Sequence, residues 1–166
     1  MEAKIQAILT NIFFKAMLTK LFSIKEIEIS YSYGTAKGER EIVTCSNDAN
    51  IVFSSMIKNS IEYKESFLLM VLNNANEILG VKKISEGGMT MCPVDVRLIF
   101  QTVLKAHGVA FLICHNHPSG KMQPSEADKQ LTKKIKEGAQ TLDLKLLDHL
   151  IITKNNYLSF ADDGIL

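Results

Sequence analysis

Two histidines, His115 and His117, stand one residue apart in the segment Leu112-Ile113-Cys114-His115-Asn116-His117-Pro118. The apolar run Val109 to Cys114 that leads into them reads as a central strand buried on both faces. In extended backbone, residues i and i+2 point the same way, roughly 6.5–7 Å apart along the chain, so two imidazoles placed there can converge on one ion. Cys114 points to the opposite face and is set aside as a ligand. After a loop turned by Pro118 and Gly120, the segment Pro124-Ser125-Glu126-Ala127-Asp128 predicts a helix start, with Ser125 as its N-cap and Asp128 in its first turn. Side chains of a first turn lean back toward the helix N-terminus, which lets Asp128 swing toward the strand end. Two imidazoles and a carboxylate around an open fourth position are the ligand set of a catalytic zinc, Zn²⁺. Iron or manganese accept the same donors.

Each half of this pattern is commonplace alone. An S-x-x-D is very often only a helix cap, and a histidine pair at a strand end is usually structural. Their conjunction is not commonplace. With 4 His, 12 Ser and 7 Asp in 166 residues, H-x-H-x(7)-S-x-x-D arises by chance in roughly one chain in several thousand of this composition.

Strands and helices must alternate to position these groups. An amphipathic helix carries Ile5, Leu9, Ile12, Phe13 and Ala16 on one side, and docking on its own domain or a neighbour suits it better than a membrane surface. A period-two strand follows with Ile27, Ile29, Tyr31 and Tyr33 on one face, then a polar loop from Gly34 to Arg40 and a short strand over Glu41 to Thr44. Ser46 or Asp48 caps a helix bearing Val52, Phe53, Met56 and Ile57. Phe67 to Leu72 and Ile78 to Ile84, joined by Asn73-Asn74-Ala75-Asn76, read as an antiparallel hairpin. Pro93 opens a helix with Val96, Ile99, Phe100, Val103 and Leu104 inward, and Gly108 ends it. A helix from Glu126 to about Gln140, a strand from Leu144 to Thr153 and a last strand at Tyr157 to Phe160 complete the chain. The alternation predicts an α/β sandwich with a mixed sheet.

Composition narrows the class further. The formal net charge is +1 and 46% of residues are hydrophobic, which excludes a disordered or collagen-like chain and suits one domain. Of 19 basic residues, only Arg40 and Arg97 are arginine, so no general nucleic-acid-wrapping surface is implied. Lys129, Lys133 and Lys136 share one helix face, read as solvated rather than as a nucleic-acid patch. Three separated cysteines, Cys45, Cys92 and Cys114, with no C-x-x-C, predict neither a disulfide framework nor a thiolate zinc knuckle and fit a reducing cytoplasm. No run reaches the roughly 18 apolar residues of a membrane span, and Asn11, Lys15 and Lys20 interrupt the only candidate signal segment.

His115-Asn116-His117-Pro118-Ser119-Gly120, followed by Pro124-Ser125 and Asp128, resembles the JAMM motif of the JAB/MPN metalloprotease superfamily, and the unbroken HNHPSG resembles its RadC-like branch. Phe67 to Asn76, Ile84 to Gly88, Leu147-Asp148-His149-Leu150-Ile151 and Tyr157 to Leu166 agree with that branch. The resemblance runs from about Ser46 to the C-terminus, giving a 46–166 domain preceded by a 1–45 segment that resembles nothing placed here. It implies a three-layer, cytidine-deaminase-like α/β/α fold and a hydrolase with one Zn²⁺ per chain that cuts peptide or isopeptide bonds. It also implies an upstream catalytic glutamate. Glu65, directly before the strand and separated from His115 by 49 residues, matches that position, with Glu62 a nearby competitor. Ser125 would then donate to a developing oxyanion.

Within Asp148-His149, one member could brace a zinc ligand or both could pair with backbone. His107 reads as a helix-end or surface residue and Ser119 as loop structure. Two other functions share parts of the pattern. A nucleobase deaminase needs H-x-E and P-C-x-x-C, and neither is present. A DNA-associated factor, the historical label of RadC-like proteins, and a metal-bearing scaffold without turnover are the alternatives to a peptidase. Asn116 stands where deubiquitinating relatives usually carry Ser or Thr, which argues against ubiquitin as substrate.

Overall fold

The computed structural model describes Gln6, residues 40–88 and residues 92–166. The expected N-terminal amphipathic helix, the strand through Ile27 to Tyr33 and the loop as far as residue 39 lie outside the described residues. Within them the order is α1 (Ser46–Ile57), β1 (Ser66–Leu72), β2 (Ile78–Glu86), α2 (Val96–Lys105), β3 (Ala110–Asn116), α3 (Glu126–Thr141), β4 (Lys145–Ile152) and β5 (Tyr157–Ser159). The strands form one sheet in the order β2-β1-β3-β4-β5. The β3–β4 pair is parallel, as its crossover through α3 requires, and the other pairs are antiparallel.

All seven residues of β1 and all seven of β3 are buried, because helices cover both faces of the sheet centre. On one face Leu68, Met70 and Leu72 of β1 and Leu112 and Cys114 of β3 pack with Ala49, Phe53 and Ile57 of α1. On the other, Phe67, Leu69 and Val71 with Phe111 and Ile113 pack against Ile99 and Val103 of α2 and Ile135 and Ala139 of α3. Each fully buried Val, Leu, Ile, Phe or Met side chain among these is worth about 1.5–3 kcal/mol of transfer free energy. The result is the expected three-layer α/β/α arrangement with a mixed sheet. Residue parity places His115 on the α2/α3 face and Cys114 on the other.

Several local expectations shift. The N-cap of α1 is Cys45, and Asp48 sits three residues in, where its carboxylate accepts from the Thr44 and Cys45 amides at 2.8 and 3.2 Å. Met56 is 48% exposed, since the buried stripe of α1 falls on Ala49, Phe53 and Ile57, spaced by four. The strand expected over Glu41 to Thr44 reduces to a single bridge, Ile42 to Glu77. Helix α2 begins at Val96, three residues after Pro93, capped by Asp95, which accepts from the Arg97 amide at 2.9 Å. Leu104 lies outside the Ile99/Val103 stripe and is exposed, as is Val109 ahead of β3.

Gly108 follows α2 for a reason other than backbone handedness. The left-handed residue there is His107, at φ 53°. A Cβ on Gly108 would lie 2.2 Å from Val71 Cγ1, so glycine is what allows the chain to cross β1 closely.

Candidate metal centre

His115 closes β3 one residue before its end, and His117 follows where its amide still bonds the Ile152 carbonyl of β4 at 3.0 Å. Both rings therefore emerge at the C-terminal end of the parallel strand pair, facing the first turn of α3. His115 Nε2 is 3.0 Å from His117 Nε2 and 3.3 Å from Asp128 Oδ1, and His117 Nε2 is 3.8 Å from Asp128 Oδ2. Donors about 2.0–2.1 Å from a tetrahedral ion stand about 3.3 Å from each other, so these separations fit one small cation. Among the described residues this trio can hold a metal ion, its donor atoms all within 4.8 Å of one another.

Asp128 divides its carboxylate between two tasks. Oδ2 accepts from the Ser125 amide at 2.7 Å and from the Ser125 hydroxyl at 2.6 Å, while Ser125 Oγ accepts from the Asp128 amide at 3.1 Å. This capping box starts α3 and leaves Oδ1 turned toward His115. The Ser125 hydroxyl thus gives its proton to Asp128, where the sequence predicts donation to an oxyanion.

Hydrogen bonds on the far side of each ring orient it. His117 Nδ1 donates to the Lys121 carbonyl at 2.6 Å, which fixes its lone pair on Nε2. His115 Nδ1 lies 2.8 Å from His149 Nε2, and His149 Nδ1 lies 2.6 Å from Thr132 Oγ1. Phe67 stacks parallel to His115, with interplanar angle 9°, and Phe160 stacks on His149 with centroids 4.6 Å apart. Burial pushes the His115 imidazole down to about 4 and holds His149 well below the usual histidine range, so both rings are neutral at pH 7, the form that metal ligation requires of His115.

Of the Asp148-His149 pair, His149 reaches the centre. Asp148 instead accepts from the His149 and Ala161 amides at 2.7 and 2.9 Å and from the Ser159 hydroxyl at 2.5 Å, pinning β5 and the C-terminal turn to β4.

Glu65 borders the same cleft as His115, His117, Ser125 and Asp128, with Phe67 and Leu131 among the apolar walls. Burial raises its pKa, His117 lowers it and Asp128 raises it. Glu62 turns to a separate pocket beside Pro118 and pairs with Lys154 at 2.8 Å. The Glu65 segment is held by Asn116, the fully buried residue between the two histidines. Its Oδ1 accepts from the Ser66 amide at 2.8 Å, and its Nδ2 donates to the carbonyls of Ile61 and Lys64 at 2.8 and 3.0 Å.

The roles of Asn116, Thr132 and the Lys121 carbonyl are not apparent from the sequence. For Thr132 a signal existed, because it sits one turn after Asp128 on the buried face of α3 with Ile135 and Ala139. His107 is exposed after α2, and Ser119 accepts from the Lys121 amide at 3.4 Å within the loop. All three cysteines are free thiols. No described helix is long and apolar enough to cross a membrane.

A mixed β-sheet whose central strand ends in two histidines that meet Asp128 of α3, a group able to take a metal ion, defines the protein as an α/β domain of the JAB type. More narrowly, a family model described as the RadC-like JAB domain matches residues 43–165, and the chain belongs to that family. It is 45% identical over 123 residues to a UPF0758 protein of Flavobacterium johnsoniae, covering 74% of this chain and 53% of the relative. It is 39% identical over 104 residues to a UPF0758 protein of Porphyromonas gingivalis, covering 62% and 46% respectively. With a UPF0758 protein of Salinibacter ruber it shares 32% over 151 residues, covering 91% and 64%. The chain thus spans about half the length of the first two of these relatives. Membership of the JAB superfamily relates the domain to metal-dependent hydrolases.

Proposed function

We propose that this chain is a zinc-dependent hydrolase of peptide or isopeptide bonds, with one ion per chain held by His115, His117 and Asp128. The observation that carries this reading is the convergence of His115, His117 and Asp128, whose donor atoms lie within 4.8 Å of one another, on a cleft that also takes in Glu65. When bound, zinc supplies the Lewis acidity that brings the pKa of a water to about 7. Glu65 is the general base. It borders the cleft without belonging to the donor trio, and its partial burial favours the protonated state it must hold between taking a proton from water and giving it to the leaving amine. Ser125 reaches the oxyanion by turning its O–H away from Asp128 Oδ2 while its oxygen keeps accepting from the Asp128 amide.

A polypeptide substrate in a reducing cytoplasm fits this reading better than a nucleic acid. Two of the three lysines on the α3 face stand within ion-pair range of acids, Lys129 at 2.7 Å from Glu126 and Lys133 at 4.0 Å from Glu137.

Metal analysis of the purified chain should find close to one zinc. Glu65→Gln should keep that zinc and lose cleavage of a peptide library. A Glu65→Gln variant as active as wild type would overturn the base assignment. Absence of any cleavage, together with DNA binding that weakens steeply with salt, would favour the DNA-associated alternative.

A further inference from the structure

Thr132 and His149 are buried, at 3% and 0% exposure, and neither belongs to the donor trio. Thr132 Oγ1 lies 2.6 Å from the backbone carbonyl oxygen of Asp128 and 2.6 Å from His149 Nδ1. A carbonyl has no proton to give and a hydroxyl has one, so the Thr132 proton goes to the carbonyl. The reverse assignment would set two oxygen lone pairs against each other at 2.6 Å. Thr132 Oγ1 therefore faces His149 as an acceptor, and His149 Nδ1 carries the N–H. A neutral imidazole has one N–H, which makes His149 Nε2 an acceptor. His115 Nδ1, 2.8 Å away, must then be the donor, and the lone pair of His115 falls on Nε2. That is the atom 3.0 Å from His117 Nε2 and 3.3 Å from Asp128 Oδ1.

We infer that the Asp128 carbonyl, Thr132 and His149 form a one-way hydrogen-bond wire that fixes the tautomer of His115 and so turns its Nε2 into a metal donor. Thr132 and His149 are positioning residues. Phe67 and Phe160 hold the two ring planes in register for the wire. The wire begins on the main chain of the residue whose side chain is the third donor, so α3 feeds the centre twice from Asp128.

The inference rests on the metal reading proposed above, and the two fail separately. The tautomers are read in the full chain stripped of metal, by long-range ¹H–¹⁵N correlation spectra of the imidazoles. Both His115 and His149 are expected as single Nδ1–H forms. Thr132→Val keeps the shape and removes the acceptor. It should move His149 toward Nε2–H, turn His115 with it, and weaken zinc binding, measured by competition with a chromophoric chelator, about 10–100-fold. Thr132→Ser, which keeps the hydroxyl, should recover most of that loss. An Nε2–H form of His149 in the wild-type chain overturns the wire. So does a folded Thr132→Val variant that binds zinc as tightly as wild type. If Thr132→Val does not fold, the wild-type spectrum alone decides. Failure of the metal reading looks different: both rings are Nδ1–H, yet the wild-type chain takes up no zinc.

Discussion

Removing the Asn116 amide should loosen the link between the metal centre and the Glu65 segment. In Asn116→Ala the Ser66 amide, on a residue with no exposed surface, loses its acceptor, at a cost of about 1–3 kcal/mol. The carbonyls of Ile61 and Lys64 lose their donor as well. They sit on half-buried residues and regain some hydration, so about 0.5–1.5 kcal/mol each applies. The sum, roughly 2–6 kcal/mol, corresponds to a fall in Tm of about 4–24 °C for a domain of this size. Asn116→Asp keeps an oxygen for the Ser66 amide but turns a second oxygen onto two carbonyls, and at neutral pH it should cost at least as much. Urea unfolding of the full chain in the presence of EDTA measures both without any contribution from metal binding. Stability of Asn116→Ala within 0.5 kcal/mol of wild type, or an Asn116→Asp variant as stable as wild type, would refute the reasoning.

Other consequences are open to similar measurement. Gly108→Ala places a methyl 2.2 Å from Val71 Cγ1 and should cost about 1–3 kcal/mol by thermal denaturation, where an ordinary loop glycine would lose nothing. Asp148→Ala orphans the His149 and Ala161 amides and the Ser159 hydroxyl; about 2–4 kcal/mol should be lost, with β5 amides exchanging faster by hydrogen-exchange mass spectrometry. Lys64 and Lys83 hold the Glu86 carboxyl down from 4.5 to about 2. Its folded-state pKa is depressed, so its contribution is whole above about 4.5 and is lost as pH falls toward 2. Glu86→Gln should therefore flatten the acid side of the stability curve slightly, and an unchanged slope between those values would show that the surface pairs contribute nothing.

The elements positioning the metal site could be read from the sequence because each carries a local signature. The Val109 to Cys114 run predicted a doubly buried strand, and only exposed Val109 fell outside it. S-x-x-D marked the start of α3 correctly. What escaped were contacts whose partners lie far apart in the chain. Asn116 reaches back some 50 residues to the 61–66 segment, and neither end of that clamp has a pattern of its own. The start of α2 at Val96 rather than Pro93, and the outward turn of Met56 and Leu104, were decided by which stripe met the sheet, a tertiary outcome that periodicity leaves ambiguous by one position.

The double duty of the Asp128 carboxylate affects how inactive alleles are interpreted. An alanine there strips the opening turn of α3 of its brace together with the ion's third anchor, so a dead phenotype would confound unravelling with lost chemistry. His117, whose side chain bonds the Lys121 carbonyl and takes no part in the capping box of α3, offers the cleaner knockout.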